Sequence, residues 1–186
     1  MGEFDLIERF FKRPPRKADV GVGDDCAIWT PRAGHQLAFS ADMLVEGRHF
    51  LSTVNPEYLG HKALAVNLSD LAACGATPQA FLLSLSMPLA DEAWLAGLST
   101  RLFQLADQHG CELIGGDTTQ GPLNIAITVI GDTPQGQSIL RSGAQVGDDL
   151  YVSGHLGDAR LALEAFRGNV SLPQPVFDLT RRRMES

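Results

Sequence analysis

Aspartates in distinctive surroundings are the residues of this sequence whose types and spacing suit chemistry. Asp24 and Asp25 lie between a Gly-Val-Gly turn and an apolar run, and Asp42 and Asp117 each end a predicted strand. Two adjacent carboxylates repel each other unless a cation or strong hydrogen-bond donors lie against them. Taken alone, the Asp24-Asp25 pair favours a solvated turn, because Asp and Gly are common turn residues.

A fifth aspartate, Asp70, lies in the middle of a predicted helix, where Asp is a poor choice. It shares a helix face with Asn67 and Cys74, whereas the leucines of the opposite stripe are predicted to face the core. The small neighbours leave room for an ion and a ligand. The alternative is a plain residue of the helix surface.

Several aspartates near strand ends favour Mg²⁺, a hard cation that bridges protein carboxylates to substrate phosphates. Zinc is not predicted, because the five histidines show no metal-ligand spacing and the three cysteines form no CxxC pair. The net charge of −7 disfavours nucleic acid and anionic membranes as partners. Phosphate ligands would therefore need metal ions between themselves and this acidic protein.

The helices and strands predicted around these residues indicate an α+β domain with two helices packed on one sheet. A short helix is predicted at 6–11, and a solvated basic loop at 12–17. The order that follows is predicted as strand, strand, helix, strand, helix, strand, strand. The strands are predicted at 35–42, 80–88, 111–117 and 122–131, with a further candidate at 148–154, and the helices at 56–75, ending at Gly75, and 91–110, with Asp91 as N-cap and Gly110 as terminator.

The length of 186 residues suits one complete domain and part of another. The strand-helix pattern begins again after Val146, and one strand with one helix cannot bury enough apolar surface to form a domain. We expect a first domain at 1–146 and the incomplete beginning of a C-terminal α/β domain at 147–186. No apolar run reaches the roughly 18 residues of a membrane span, and acidic residues occupy the N-terminus where a signal peptide would be basic. A cytoplasmic protein without a membrane partner is therefore expected.

Five segments together resemble one family in order and spacing: GVGDDCA, SADMLVEGRHF, KALAVNLSDLAACGATP, LIGGDTTQGP and RSGAQVGDDLYVSG. They resemble the thiamine-monophosphate kinases of the aminoimidazole-ribonucleotide-synthetase superfamily, over about Gly2 to Ala165. The resemblance implies phosphorylation of thiamine monophosphate to thiamine diphosphate, with ATP as co-substrate and several Mg²⁺ ions assisting direct in-line transfer. It also implies a homodimer in which the N-terminal sheets of two subunits form a shared barrel.

The resemblance also assigns roles to single residues. It implies that Asp25, Asp42, Asp70 and Asp117 are magnesium ligands with Ser40 assisting, that Gly116, Asp117 and Arg141 contact the nucleotide, and that His49 contacts the substrate. Asp24 is expected beside the ligands rather than among them. No protein general base is expected, because a phosphate monoester is largely ionised at neutral pH.

The sequence departs from the family at Ala41, where a hydroxyl residue is usual, and at Arg48, where a small or apolar residue is common. The family's second acidic motif, its Gly-Gly-Glu-Asp segment and its substrate-stacking aromatic residue find no match in these 186 residues. Two alternatives therefore stay open. One is a different ATP-using synthetase of the same superfamily, and the other is a noncatalytic dimerisation or nucleotide-binding fragment.

Overall fold

The computed structural model describes residues 2–186 and divides the chain into two compact units, Met1–Leu140 and Arg141–Ser186. The first unit contains α1 (Glu3–Phe10), β1 (His35–Val45), α2 (Pro56–Ala73), β2 (Thr77–Met87), α3 (Glu92–Gln108), β3 (Glu112–Gln120) and β4 (Asn124–Pro134). The second unit contains a short 3₁₀ helix (Arg141–Gly143), α4 (Asp158–Phe166) and α5 (Gln174–Glu185).

The four strands form one mixed sheet in the order β1-β4-β2-β3. β4 is antiparallel to both β1 and β2, whereas β2 and β3 are parallel and are connected through α3. A parallel pair needs such a crossover connection. The predicted α+β class is confirmed, but only one strand, not two, precedes α2. The stretch between Val20 and Ile28 makes isolated bridges instead of a ladder, because it folds back on itself before it can pair with the sheet.

One face of the sheet is covered by α2 and α3 and forms the main core. Alternate residues of the two central strands point into it, among them Phe81, Leu83, Ile127 and Val129. The predicted leucine stripe of α2 is buried against them. The opposite face of β1 is open, with Leu37, Phe39 and Met43 exposed.

The ends of the two long helices follow the sequence signals. Asp91 Oδ1 accepts a hydrogen bond of 3.0 Å from the Trp94 N–H, which confirms it as the N-cap of α3. Asn55 caps α2 in the same way, through the Glu57 N–H. Gly75 and Gly110 follow the helices with φ of 68° and 60° and terminate them as predicted.

α2 and α3 are in close contact at two glycines. A Cβ atom at Gly60 would lie 2.1 Å from the carbonyl oxygen of Leu98, and one at Gly97 would lie 3.1 Å from Pro56 Cγ. The missing side chains therefore allow the two helix backbones to approach each other closely.

In the second unit, α4 and α5 pack against each other through Phe166 and Phe177, whose ring centroids are 5.2 Å apart. Arg183 and Asp158 form an ion pair between the same helices. The strand predicted at 148–154 is wrong, since these residues form turns and irregular backbone with Leu150 and Tyr151 exposed. An apolar pattern cannot form a strand without a neighbouring strand to pair with, and within this unit the described residues provide none. Within residues 2–186, no helix has the length and apolarity needed to cross a membrane.

Candidate functional site

Residues 20–28, called the acid loop below, carry Asp24 and Asp25. The loop is closed at its base by two backbone hydrogen bonds, from Val20 N–H to Ile28 O at 3.2 Å and from Ile28 N–H to Val20 O at 2.9 Å. Asp24 Oδ1 accepts the Asp25 N–H at 2.8 Å. The Asp24 carboxylate thus caps its own turn, and both Asp24 and Asp25 are exposed to solvent. The solvated-turn interpretation therefore fits Asp24, whose carboxylate is used within the turn.

A cavity of about 1010 Å³ lies beside the acid loop. Its polar wall contains Asp24, Asp25, Gly116 and Asp117, and its apolar wall contains Phe4, Phe11, Trp29, Leu37 and Phe39. Two of the predicted magnesium ligands, Asp25 and Asp117, therefore line one cavity together with the predicted nucleotide contact Gly116. The apolar wall offers a surface on which a flat organic group can pack.

Gly116 is required by the backbone geometry of β3. Its φ is 145°, and a Cβ atom there would lie 1.8 Å from the Leu83 carbonyl oxygen. No L-residue with a side chain fits this position without moving the strand. Gly116 therefore lets β3 approach β2 closely just before Asp117, which pairs with Ser84.

Three other predicted ligands form a second group where α2 covers β1. Ser40 Oγ donates a hydrogen bond of 2.5 Å to Asp70 Oδ2, and the Asp42 N–H donates one of 3.1 Å to Asn67 Oδ1. Asn67 is buried and donates from Nδ2 to Ala63 O at 3.0 Å. The polar face predicted for α2 thus binds the strand that carries Ser40 and Asp42.

The structure separates these two groups. The register places Asp42 on the face of Ile127, which the helices cover, and Asp117 on the face of Ser84, which they leave open. β1 and β3 are also the two edge strands, three strand spacings or about 14 Å apart. The aspartates predicted as magnesium ligands are thus divided between two groups. In the part of the chain that the structure describes, no three His, Cys, Asp or Glu side chains are close enough to hold a metal ion by themselves.

His49 lies in the turn after β1 and is oriented by its neighbours. The Val45 N–H donates to His49 Nδ1 at 3.0 Å, so the ring proton is on Nε2, which can act as a donor. Lys62 Nζ on α2 donates to the His49 carbonyl oxygen at 3.1 Å. Arg141, the remaining predicted contact, opens the 3₁₀ helix of the second unit and is exposed.

Sequence reasoning missed a set of buried polar residues beneath the acid loop. Glu112, Gln79 and Asp132 are all buried, although none belongs to a recognisable motif. The one signal in the sequence was the charged Glu112 directly before the apolar residues Leu113 and Ile114. The basic loop at 12–17 is likewise more constrained than predicted, because Arg13 and Arg16 form ion pairs with Asp107 on α3 at 2.9 and 3.1 Å.

A mixed four-stranded sheet with two helices on one face and acidic residues along its strands defines the class of this protein. Residues 23–133 match the AIR synthase related protein, N-terminal domain, and the chain belongs to this family. The matched residues include most of the acid loop and nearly all of the four-stranded sheet.

Named relatives give a more specific likeness. The chain is 45% identical over 174 residues to the thiamine-monophosphate kinase of Escherichia coli (strain K12), covering 92% of this chain and 54% of that protein. The crystal structure of thiamine-monophosphate kinase from Stenotrophomonas maltophilia K279a superposes with a TM-score of 0.83 at 41% identity, covering 98% of this chain and 58% of that one. AaThiL complexed with AMPPCP and TMP gives a TM-score of 0.74 at 30% identity, covering 84% and 50%. The resemblance to thiamine-monophosphate kinases is confirmed, and the chain spans about half the length of the curated relatives it matches.

Proposed function

We propose that this chain forms the ATP- and magnesium-binding part of a thiamine-monophosphate kinase, which transfers the terminal phosphoryl group of ATP to thiamine monophosphate. The observation that carries the proposal is the cavity in which Asp25, Gly116 and Asp117 meet an apolar wall. The similarity to AaThiL, a protein described in complex with AMPPCP and TMP, supports the same ligands. AMPPCP is a non-hydrolysable analogue of ATP.

The residues present fit Mg²⁺. All the proposed ligands are hard oxygen donors: Asp25 and Asp117 at the cavity, and Ser40, Asp42 and Asp70 where α2 meets β1. Mg²⁺ is usually bound through one or two carboxylates together with substrate phosphates and water, not by a cage built from protein alone. The pair Asp25 and Asp117 therefore suits Mg²⁺ that arrives with a nucleotide in the cavity, and the group at α2 and β1 suits a separate Mg²⁺, even though no three acidic side chains cluster among residues 2–186.

The proposed reaction forms a bond from a phosphate oxygen of thiamine monophosphate to the γ-phosphorus of ATP and breaks the bond from that phosphorus to the β-γ bridging oxygen. Bound Mg²⁺ supplies positive charge to the phosphates. The chain contributes alignment: the Gly116 backbone admits the nucleotide beside β3, and His49 Nε2–H donates to the substrate phosphate. Arg141 stays a predicted nucleotide contact. No side chain acts as a base, because the attacking phosphate is already anionic near neutral pH.

A second copy of the chain is the proposed occupant of the open sheet face. Leu37, Phe39 and Met43 project from β1 on that face, and two such faces would close into the shared barrel that the resemblance implies. Met43→Glu should give a monomer by light scattering, because a buried charge disfavours the interface, and Met43, unlike Leu37 and Phe39, does not line the cavity. Leu89→Glu, at another exposed leucine, is the control and should stay dimeric. A monomeric parent chain would contradict this part of the proposal.

The decisive experiment is calorimetric titration of the 186-residue chain with AMPPCP. Binding should require Mg²⁺ and should vanish with excess chelator, because the acidic site repels bare phosphates. Equal affinity with and without chelator would overturn the proposal. The chain alone should bind nucleotide without forming thiamine diphosphate, since its relatives are about twice as long. Turnover by these residues alone would show that they contain the whole active site.

A further inference from the structure

Glu112, the first residue of β3, is a buried carboxylate with an unusual set of partners. Its Oε1 accepts the Arg16 N–H at 2.6 Å, and its Oε2 accepts the N–H groups of Lys17 and Ala18 at 2.8 and 3.3 Å. Only 6% of the residue is exposed. A buried carboxylate is costly unless it is hydrogen-bonded, and consecutive backbone amides provide strong charge-assisted donors. Glu112 therefore fixes the backbone of residues 16–18.

The acid loop begins directly after this fixed segment. Ala18 is buried in a small cluster with Ala80 and Ile114. The next residue, Asp19, donates its N–H to Ile28 O at 2.9 Å, at the base of the acid loop. Because Glu112 belongs to the same strand as Asp117, it ties the base of the acid loop to the strand that carries the other carboxylate of the cavity.

A series of polar contacts connects the segment before the acid loop to the segment after it. Lys17 Nζ donates to Gln79 Oε1 at 3.0 Å and to Gly110 O at 2.7 Å. Gln79 Nε2 donates to Asp132 Oδ1 at 3.1 Å, and Asp132 Oδ2 lies 3.7 Å from Nε of Arg32, which follows the acid loop. Residues on both sides of the acid loop are thus connected beneath it through buried Gln79 and Asp132.

We infer that Glu112 is a positioning residue for phosphoryl transfer. It holds the acid loop so that Asp25 and Asp117 face one cavity, where both can bind the Mg²⁺ that accompanies the nucleotide phosphates. The inference rests on the proposed function. Glu112 touches no substrate and acts through the backbone of residues 16–18. Its charge matters because glutamine has a single acceptor oxygen, and its amide group would face backbone N–H donors.

The test compares Glu112→Gln with Asp107→Asn. Asp107 holds the same basic segment from α3, but through exposed side-chain ion pairs and not through the backbone. Glu112→Gln should weaken Mg²⁺-dependent AMPPCP binding about tenfold and raise the Mg²⁺ concentration needed for half-maximal binding, a loss typical of residues that orient metal ligands. Asp107→Asn should change neither quantity. Lys17→Met, which removes the second anchor, should shift the Mg²⁺ requirement in the same direction and serves if Glu112→Gln does not fold.

A second readout separates the positioning role from the proposed function. The Ile28 N–H donates to Val20 O at 2.9 Å and closes the base of the acid loop, so its hydrogen-exchange rate reports how well the loop is held without any ligand. The rate should rise at least severalfold in Glu112→Gln and stay at the parent value in Asp107→Asn. An unchanged rate in a folded Glu112→Gln variant overturns the inference whether or not nucleotide binds. If the rate rises but the parent chain binds no AMPPCP with Mg²⁺, the proposed function fails, and the role in phosphoryl transfer fails with it.

Discussion

Ser40 on β1 donates a hydrogen bond of 2.5 Å from its Oγ to Oδ2 of Asp70 on α2. The bond directs the Asp70 carboxylate toward the strand that also carries Asp42, so Asp70 is not an isolated residue of the helix surface. A carboxylate oxygen that accepts one hydrogen bond can still bind a cation, so Asp70 and Ser40 would offer neighbouring oxygens to Mg²⁺. This geometry makes Asp70 the sharpest single test of the proposed magnesium site.

Asp70→Asn should reduce the affinity for Mg²⁺ itself, where α2 meets β1, by about tenfold or more, because the amide keeps the hydrogen bond from Ser40 but loses the charge that binds Mg²⁺. The free energy of unfolding should change little. Calorimetric titration and urea unfolding measure the two effects. Asp178→Asn is the matched control, at an exposed aspartate of α5 whose Oδ1 accepts a hydrogen bond of 2.8 Å from Gln174 Nε2. Normal affinity in Asp70→Asn would return Asp70 to the helix-surface interpretation.

Gly116→Ala should destabilise the unit and abolish nucleotide binding, because its Cβ would collide with the Leu83 backbone at a φ that alanine resists. The neighbouring Gly115→Ala is the control. Its Cβ would meet only Leu82 Cδ2, at 3.2 Å, and a side chain can give way. Thermal unfolding and AMPPCP titration of both variants provide the comparison. Equal tolerance at the two positions would contradict the backbone argument.

Gly60→Ala should lower the free energy of unfolding by about 1–3 kcal/mol, the usual cost of overpacking, even though alanine is the better helix former. The added methyl group would lie 2.1 Å from the Leu98 carbonyl oxygen, so the helices must separate. Gly97→Ala should cost less, since its nearest atom is Pro56 Cγ, at 3.1 Å. Urea unfolding of the two variants gives the ranking, and a stabilised Gly60→Ala would show that the crossing adjusts freely.

His61 on α2 should make the protein less stable as the pH falls. Burial first, and then the charges of Arg101 and His109, lower the pKa of His61 from 6.5. Its Nδ1 is buried and has no hydrogen-bond partner among residues 2–186. Because the unfolded chain takes up the proton more readily than the folded one, stability is full above pH 6.5 and declines below it, down through the lowered pKa.

Thermal unfolding from about pH 7.5 to about pH 5.5 tests this sign. His61→Gln should lose less stability over that range than the parent chain. His155→Gln, at an exposed histidine of the second unit, should lose as much as the parent. A steeper loss in His61→Gln would mean that the folded state favours the charged imidazole.

Cys26 and Cys111 should differ sharply in reactivity. Burial raises the pKa of the Cys111 thiol from 9.0 to about 12, so almost no thiolate exists at neutral pH, whereas Cys26 is exposed. Iodoacetamide at about pH 8 should alkylate Cys26 and spare Cys111 in the native protein, as peptide mass spectrometry would show. AMPPCP with Mg²⁺ should protect Cys26 if phosphates occupy the acid loop. Rapid labelling of Cys111 would show that the core opens readily.

The elements of the first unit were largely predictable because their signals are local. The N-cap at Asp91, the glycines after both long helices and the alternation of β4 each act within a few residues. The prediction of a strand at 148–154 was wrong because it rested on a local pattern alone. Its pattern is local, but strand formation depends on a partner that no pattern within 148–154 can supply.

The candidate site was predictable only in part. The residue types pointed to Mg²⁺, but their division into two groups follows from the sheet order, which puts β1 and β3 at opposite edges. Glu112 escaped notice because its partners are 94 to 96 positions earlier in the chain. Such long-range hydrogen bonds leave no periodic trace in a single sequence.

The order of the strands in the sheet also determines when each strand can pair during folding. Among residues 2–186, β1 is made before the other three strands of the sheet, yet the strand it pairs with is β4, the last of the four in the sequence. Long-range pairing of this kind is slow, because the conformational entropy of closing a long loop is lost before the stabilising strand contacts form. Until β4 is available, the backbone N–H and C=O groups of β1 have no strand to pair with. Pairing of residues 35–45 into the sheet should therefore wait until residues 124–134 have been made.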